Sequence, residues 1–424
     1  GAGASQRLIL TMQNYTAARH NIEAWYILMV ILGAFNVAFN IMLIPQVIAN
    51  NYTNGNVLIG IVMAAWTAGP LISPWISKFI RLTDGHQNNV AKLFLLNALL
   101  AFSIPHCSHI VSLFINLFLQ GMIYASIYSI LNLLIVKRFP EREWHARTSW
   151  LIAAFIIGEV IGFAIAGMMT NPIRGISLGG VVLLATSIFC LQILPTYHTN
   201  DHVISPQKNG SSAQAKDLLL SPFGLMILGW ALLCFSAQIL FLPFPVLMNE
   251  VFLLPPMQSS MTVSIAGLIA LGFYPFIGHL TGKFGADSVL LGASFVKLSV
   301  FIIFTYCAMN MSHSLIPIVM LMIAINRWTW PFMMTSAQIQ ASTLSKGRGH
   351  TLALALFMAF SGAGNMLAGF ANSYITATLG IQYMPIFAAG SCLLGITFLL
   401  VGKFLSIELL TASLSPQGII NEKR

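Results

Sequence analysis

Residues 110–147 read IVSLFINLFLQGMIYASIYSILNLLIVKRFPEREWHAR, and both signals that decide the fold lie in this one stretch. Residues 110–136 carry no Asp, Glu, Lys or Arg. An apolar run of about 20 residues spans hydrocarbon as a helix, because lipid offers the backbone no other hydrogen-bond partner. Lys137, Arg138, Arg142 and Arg147 then follow within a few positions. Cationic side chains of that density stay on the cytoplasmic side of a membrane.

The same two signals repeat outward along the chain. Apolar segments run over 22–49, 57–80, 90–108, 110–137, 145–170, 175–195, 222–249, 257–282, 287–309, 313–342, 348–376 and 381–407. Basic residues fall in every second gap: Lys78, Arg81 and Lys92; the cluster after segment four; Lys208 and Lys216; Lys283; Lys346 and Arg348. Arg7, Arg19, Lys403, Lys423 and Arg424 lie near the termini, and the opposite gaps hold Arg174 and the acidic Glu250. This alternation predicts a multi-pass protein of the inner or plasma membrane with both termini cytoplasmic. The polar stretch 196–221 divides it into an N-terminal six-helix bundle (1–195) and a C-terminal one (222–424), and reads as a cytoplasmic linker.

Composition agrees. Hydrophobic residues make up 57% of the chain and charged residues 7%, against about 25% charged in a soluble domain. The net charge of +9 is spread over helix ends rather than gathered on one face, so nucleic-acid binding is not expected. Cys107, Cys190, Cys234, Cys307 and Cys392 are scattered in apolar segments without metal-ligand spacing. There is no GxxxxGK[ST] loop to bind a nucleotide. No metal, cofactor or enzymatic activity is expected, and energy must come from an ion gradient or from the solute's own gradient. The predicted fold is an all-α membrane protein of about twelve helices in two pseudo-symmetric bundles, with a solute site between them at the midplane.

At this point the chain resembles the major facilitator superfamily over nearly its whole length. The residues that carry the likeness lie in two places. The gap after segment two reads Ser73-Pro74-Trp75-Ile76-Ser77-Lys78-Phe79-Ile80-Arg81, and the gap after segment eight reads Gly278-His279-Leu280-Thr281-Gly282-Lys283-Phe284-Gly285. Both keep the basic and aromatic positions of the family's loop motif, and both lose its acid, to Ser77 and Gly282. The resemblance implies that Lys78, Arg81, Gly278, Lys283 and Gly285 belong to a cytoplasmic gate that lacks the family's acid in both copies. Segment five, Gly158-Glu159-Val160-Ile161-Gly162-Phe163-Ala164-Ile165-Ala166-Gly167, resembles the glycine motif associated with antiporters. Gly158, Gly162 and Gly167 match; Phe163 stands where the motif has Pro. Close helix packing alone would also place small residues there. The drug- and sugar-efflux branches are the nearest in character.

Charges inside hydrocarbon are expensive, and each one calls for a role. Glu159, Arg327 and Lys297 stand near the middles of segments five, ten and nine. A carboxyl there can load and release protons, so Glu159 is the candidate for proton coupling; the alternative is a structural partner for a basic residue. Arg327 remains charged and suits an anionic or hydrogen-bonding solute group, or else a salt bridge. Lys297 is expected to be structural or lipid-facing, its stem snorkelling to an interface. Segments one, four, seven and ten line the cavity in the resembling family. They carry Asn36, Asn40, Gln120, Tyr124, Tyr128, Gln238 and Trp330. Asn116, Gln120, Tyr124 and Tyr128 recur every four residues, forming one helical stripe that reads as a wet cavity wall or, alternatively, as interhelical glue. The expectation is a monomeric, proton-coupled exporter of a small organic solute. An importer or uniporter of a polar metabolite (sugar, organic acid or amino acid) is the alternative.

Overall fold

The computed structural model describes residues 22–77, 86–195, 212–345 and 350–413. No strand occurs among them. The membrane-length helices are α1 (Ala24–Asn51), α2 (Gly55–Ser77), α3 (His86–Ser103), α4 (Ile110–Arg138), α5 (Glu141–Met168) and α6 (Pro172–Ile193). A short helix, Ser212–Leu219, follows, taking up the end of the stretch read as a linker. Then come α7 (Pro222–Phe241), α8 (Pro256–Leu271), α9 (Ala286–Met309), α10 (Ile316–Leu344), α11 (His350–Thr378) and α12 (Met384–Ser413).

Helix ends follow local chemistry. Asn171 caps α6, its side chain accepting from the amides of Ile173 and Arg174, with Pro172 in the first turn. Ser221 and Pro222 do the same for α7. Pro has no amide to lose at these positions. After Phe241 the chain breaks at Pro243 and resumes as Phe244–Glu250. After Leu271 it bends by 58° and resumes as Tyr274–Phe284, with Pro275 in its first turn. Each break sits where a proline removes a backbone bond. Within α1, residues Leu32–Ala38 wind as a π-helix.

The neighbours of each helix repeat with an offset of six. α1 packs on α5 and α6, α2 on α4, and α3 on α6; α7 packs on α11 and α12, α8 on α10, and α9 on α12. The halves meet along α5–α8 and α2–α11, an exchange with the same symmetry. Small residues bring these seams together: Gly60 lies against the Gly369 carbonyl, and a side chain at Gly167 would strike Ser260. The outer faces are apolar and uncovered, as with Val181, Ile188 and Phe189 on α6 and Leu393 and Leu394 on α12, and hydrocarbon is the solvent that suits them.

Polar ties join the halves midway and at the end far from the linker. The backbone amide of Ile61 donates to Ser373 Oγ at 2.8 Å. Asn56 Nδ2 donates to both carboxylate oxygens of Glu250, at 2.8 and 2.9 Å. At the linker end each half is tied within itself. Arg147 pairs with Glu143 at 3.0 Å and Glu23 at 3.9 Å, and Lys403 pairs with Asp287 at 2.8 Å.

Candidate functional site: a cavity between the two halves

Helix α5 is gripped from both sides. Gly158 and Gly162 let α1 approach so closely that a Cβ on either would collide with the Val30 carbonyl or the Ala34 backbone. On the opposite side, Ser264 Oγ donates to the Val160 carbonyl at 2.6 Å and Ser260 Oγ donates to the Phe163 carbonyl, both from α8. Glu159 projects between these two contacts. Its carboxylate accepts from Nη2 of Arg327 on α10. The side chains are only 12% and 18% exposed. The pair therefore joins the halves at mid-depth. Gly267 on α8 lies against the pair: a Cβ there would be in ordinary contact with Arg327 Nε at 3.6 Å and tight against Val160 at 3.2 Å.

Beside the pair lies a cavity of about 270 Å³. Val37, Trp66, Tyr124, Phe155 and Glu159 line it from the first half, and Gln238, Lys297, Asn326, Arg327, Trp330 and Asn365 from the second. Trp330 stacks on Trp230 (centroids 5.7 Å apart, planes at 26°), which stacks on Phe357 (5.5 Å, 11°). Trp230 is held by donating Nε1–H to Ser361 Oγ at 2.7 Å. One end of the cavity is thus a rigid aromatic wall. The Oδ1 atoms of Asn326 and Asn365 are buried with no hydrogen-bond partner.

Of the expected solute contacts, Tyr124, Gln238, Arg327 and Trp330 line the cavity. Asn36, Asn40, Gln120 and Tyr128 are not among its lining residues, which corrects the reading of the α4 stripe as one continuous wet wall. Asn40 Nδ2 donates to Gln120 Oε1 at 3.1 Å, Gln120 Nε2 to Asn116 Oδ1 at 2.8 Å, and Asn116 Nδ2 to Ser103 Oγ at 2.7 Å. These amides bind α1, α3 and α4 to one another. The stripe changes character along its length: its lower-numbered end is glue, Tyr124 faces the cavity, and Tyr128 packs edge-on against Phe155 at 5.8 Å. Asn36 is buried in the π-segment with both amide atoms unpartnered.

Among the expected gate residues, Lys78 and Arg81 lie outside the described residues. Lys283 is exposed, with Nζ 5.1 Å from the Phe284 ring centre. Gly285 takes a φ of +86° at the turn into α9, a conformation that favours glycine, whereas Gly278 faces open space and meets nothing that requires one. Gly158, Gly162 and Gly167 each sit at a close helix approach.

Lys297 is the largest departure. It is 1% exposed and lines the cavity rather than facing lipid. The inward stripe of α9 is Leu290, Ser294, Lys297, Phe301 and Phe304; Phe295, Val296 and Ile302 face outward. Both faces are apolar, so periodicity alone could not tell which one carried the lysine. The signal that could have found it is the cost of leaving an ammonium in hydrocarbon. Gly267, Asn326 and Asn365 were missed because small and amide residues are common in membrane helices generally.

Residues 90–302 match the sequence model of the Major Facilitator Superfamily. The chain belongs to that superfamily. Solved structures agree on the fold. A variant of the nucleoside transporter NupG aligns with a TM-score of 0.72 at 13% identity, covering 89% of this chain and 98% of that one. A bacterial homologue of the iron transporter ferroportin, inward-facing, gives 0.66 at 15% identity, covering 89% and 97%. A D-xylose-proton symporter gives 0.62 at 14%, covering 88% and 96%. No curated protein matches the chain in sequence. As a superfamily member with transporters for structural neighbours, the chain is a membrane transporter and not an enzyme.

Proposed function

We propose that the protein is a proton-coupled secondary transporter that exports a small organic solute by alternating access. The single observation that carries this is the Glu159–Arg327 pair joining the two halves beside the cavity. Arginine keeps its charge under all ordinary conditions. A proton arriving on Glu159 therefore cancels only one side of the pair and loosens the tie. The halves, 1–195 and 222–424, joined by the stretch 196–221, then rock against each other along the α5–α8 and α2–α11 seams. Tyr124, Gln238, Arg327 and Trp330 contact the solute; Asn40 and Gln120 hold the helices that present Tyr124. The resemblance of α5 to the antiporter glycine motif supports export, and the alternation of basic gaps supports an orientation with both termini and the linker cytoplasmic. The protein works as a monomer, each with its own cavity.

The test is flux in liposomes. Wild-type protein moves solute against its own concentration gradient when a pH gradient is imposed, while Glu159→Gln binds solute but no longer responds to the pH gradient. Full gradient-driven flux by Glu159→Gln would remove Glu159 from the coupling.

A further inference from the structure

We infer that Lys297 is the anion-binding residue of the cavity and that the transported solute is a small planar organic acid carrying a hydrogen-bond donor. The inference deepens the transport reading and rests on it. Of the two cations that line the cavity, Arg327 is matched by Glu159. Lys297 has no carboxylate partner among the described residues. Its Nζ donates a long hydrogen bond to Thr329 Oγ1 at 3.5 Å. Its Nζ also lies 5.3 Å from the Trp330 ring centre and 5.8 Å from that of Phe301. Ring faces attract an ammonium but do not neutralise it. A buried ammonium without a counter-ion is costly, and an anionic solute entering the cavity offsets that cost.

The rest of the cavity narrows the class. Trp330, beside Lys297, ends a stack of three rings and offers a flat face. Planar aromatic solutes stack on such a face. The unpartnered Oδ1 atoms of Asn326 and Asn365 lack donors that a hydroxyl, amine or ring N–H would supply. The volume of about 270 Å³ sits just below the usual range of about 300–1,000 Å³ for ligand sites, which favours a single-ring or fused-ring acid over a large amphipathic drug.

The experiment compares acids with their own amides, which keep the shape and lose the charge. Purified protein is titrated with benzoate, 4-hydroxybenzoate, nicotinate and indole-3-acetate, each beside its amide, following tryptophan fluorescence and thermal shift. At least one acid is expected to bind about tenfold more tightly than its amide, a difference of about 1.4 kcal/mol. Lys297→Met abolishes that preference and Lys297→Arg retains it. Equal binding of every acid and amide, binding of amides alone, or binding of neither overturns the inference on wild-type protein, whatever the variants do. Acid preference retained in Lys297→Met also overturns it. The two readings fail separately. Acid binding without gradient-driven flux defeats proton coupling alone, and coupled flux of neutral solutes with acids ignored defeats the Lys297 site alone.

Discussion

Arg327 on α10 donates to Glu159 on α5, so two charges 168 positions apart in the chain meet across the seam between its halves. Removing one partner of a mostly buried pair strands the other charge, at a cost of about 3–5 kcal/mol. Arg327→Gln and Glu159→Gln are each expected to lower thermal stability in detergent. The double variant recovers most of the loss, because it leaves no orphan. A double variant as unstable as the sum of the singles would show that the two residues act independently.

Gly267 keeps the space in which the Arg327 guanidinium lies. Gly267→Ala touches Arg327 at ordinary contact distance and Val160 at one a small shift relieves, and is expected to transport normally. Gly267→Leu displaces the guanidinium, and both it and Arg327→Gln are expected to lose transport while the protein still elutes as a single species. Wild-type flux in Gly267→Leu would mean that the arginine's position is not critical.

The amide network and the cavity wall are separable. Gln120→Ala leaves the Asn40 donor and the Asn116 acceptor without their partner, at about 1–3 kcal/mol per stranded buried group. It is expected to lower melting temperature while the apparent solute affinity of the folded fraction stays near wild type. Gln238→Ala should do the reverse, weakening solute binding with little change in melting. Titrations of both variants beside melting curves check this, and a matched loss of affinity in Gln120→Ala would put that residue at the solute.

Asn56 and Glu250 clasp the ends of the halves farthest from the linker. Exposed charge contacts contribute about 0.2–1 kcal/mol, so Glu250→Ala should raise the share of molecules open at that end by a few-fold. Spin-label distances between the outer ends of α2 and α7 read this directly. An unchanged distance distribution would leave the seal to the apolar contacts alone.

The helices were legible because lipid removes every alternative for the backbone, and each apolar run between basic gaps has one structural outcome. The two breaks were legible less fully. Pro243 and Pro275 announce a weakened helix but not a 58° bend, which depends on what α8 packs against. At the site, Glu159 and Arg327 were found by the cost of buried charge, yet their meeting depends on the seam between halves, which no local pattern records. Lys297 was misjudged because α9 is apolar all round, so the direction of one long side chain is settled by tertiary packing. Gln120 was misjudged for a related reason. An amide stripe on one helix looks the same whether water or Asn40 satisfies it.

The π-segment Leu32–Ala38 has a consequence for how this chain tolerates changes of length. Before it, Trp25, Leu28 and Met29 belong to one buried cluster with α3, α4 and α6; after it, Phe39, Leu43 and Val47 belong to a second that reaches the other half. A π turn carries one residue more than an α turn, and one residue rotates an α-helix by about 100°. The segment thus acts as an indexing joint, aligning two ends of one rod with two different partners. Trimming a single residue from Leu32–Ala38 would let the wide turn close to an ordinary α turn and keep Asn40 and the end Phe39–Asn51 near their present bearing, whereas the same deletion in the α-helical part of the rod would swing that end by about 100°. The segment thus holds the rod's one spare residue, and it is outside Leu32–Ala38 that the count of residues is under constraint.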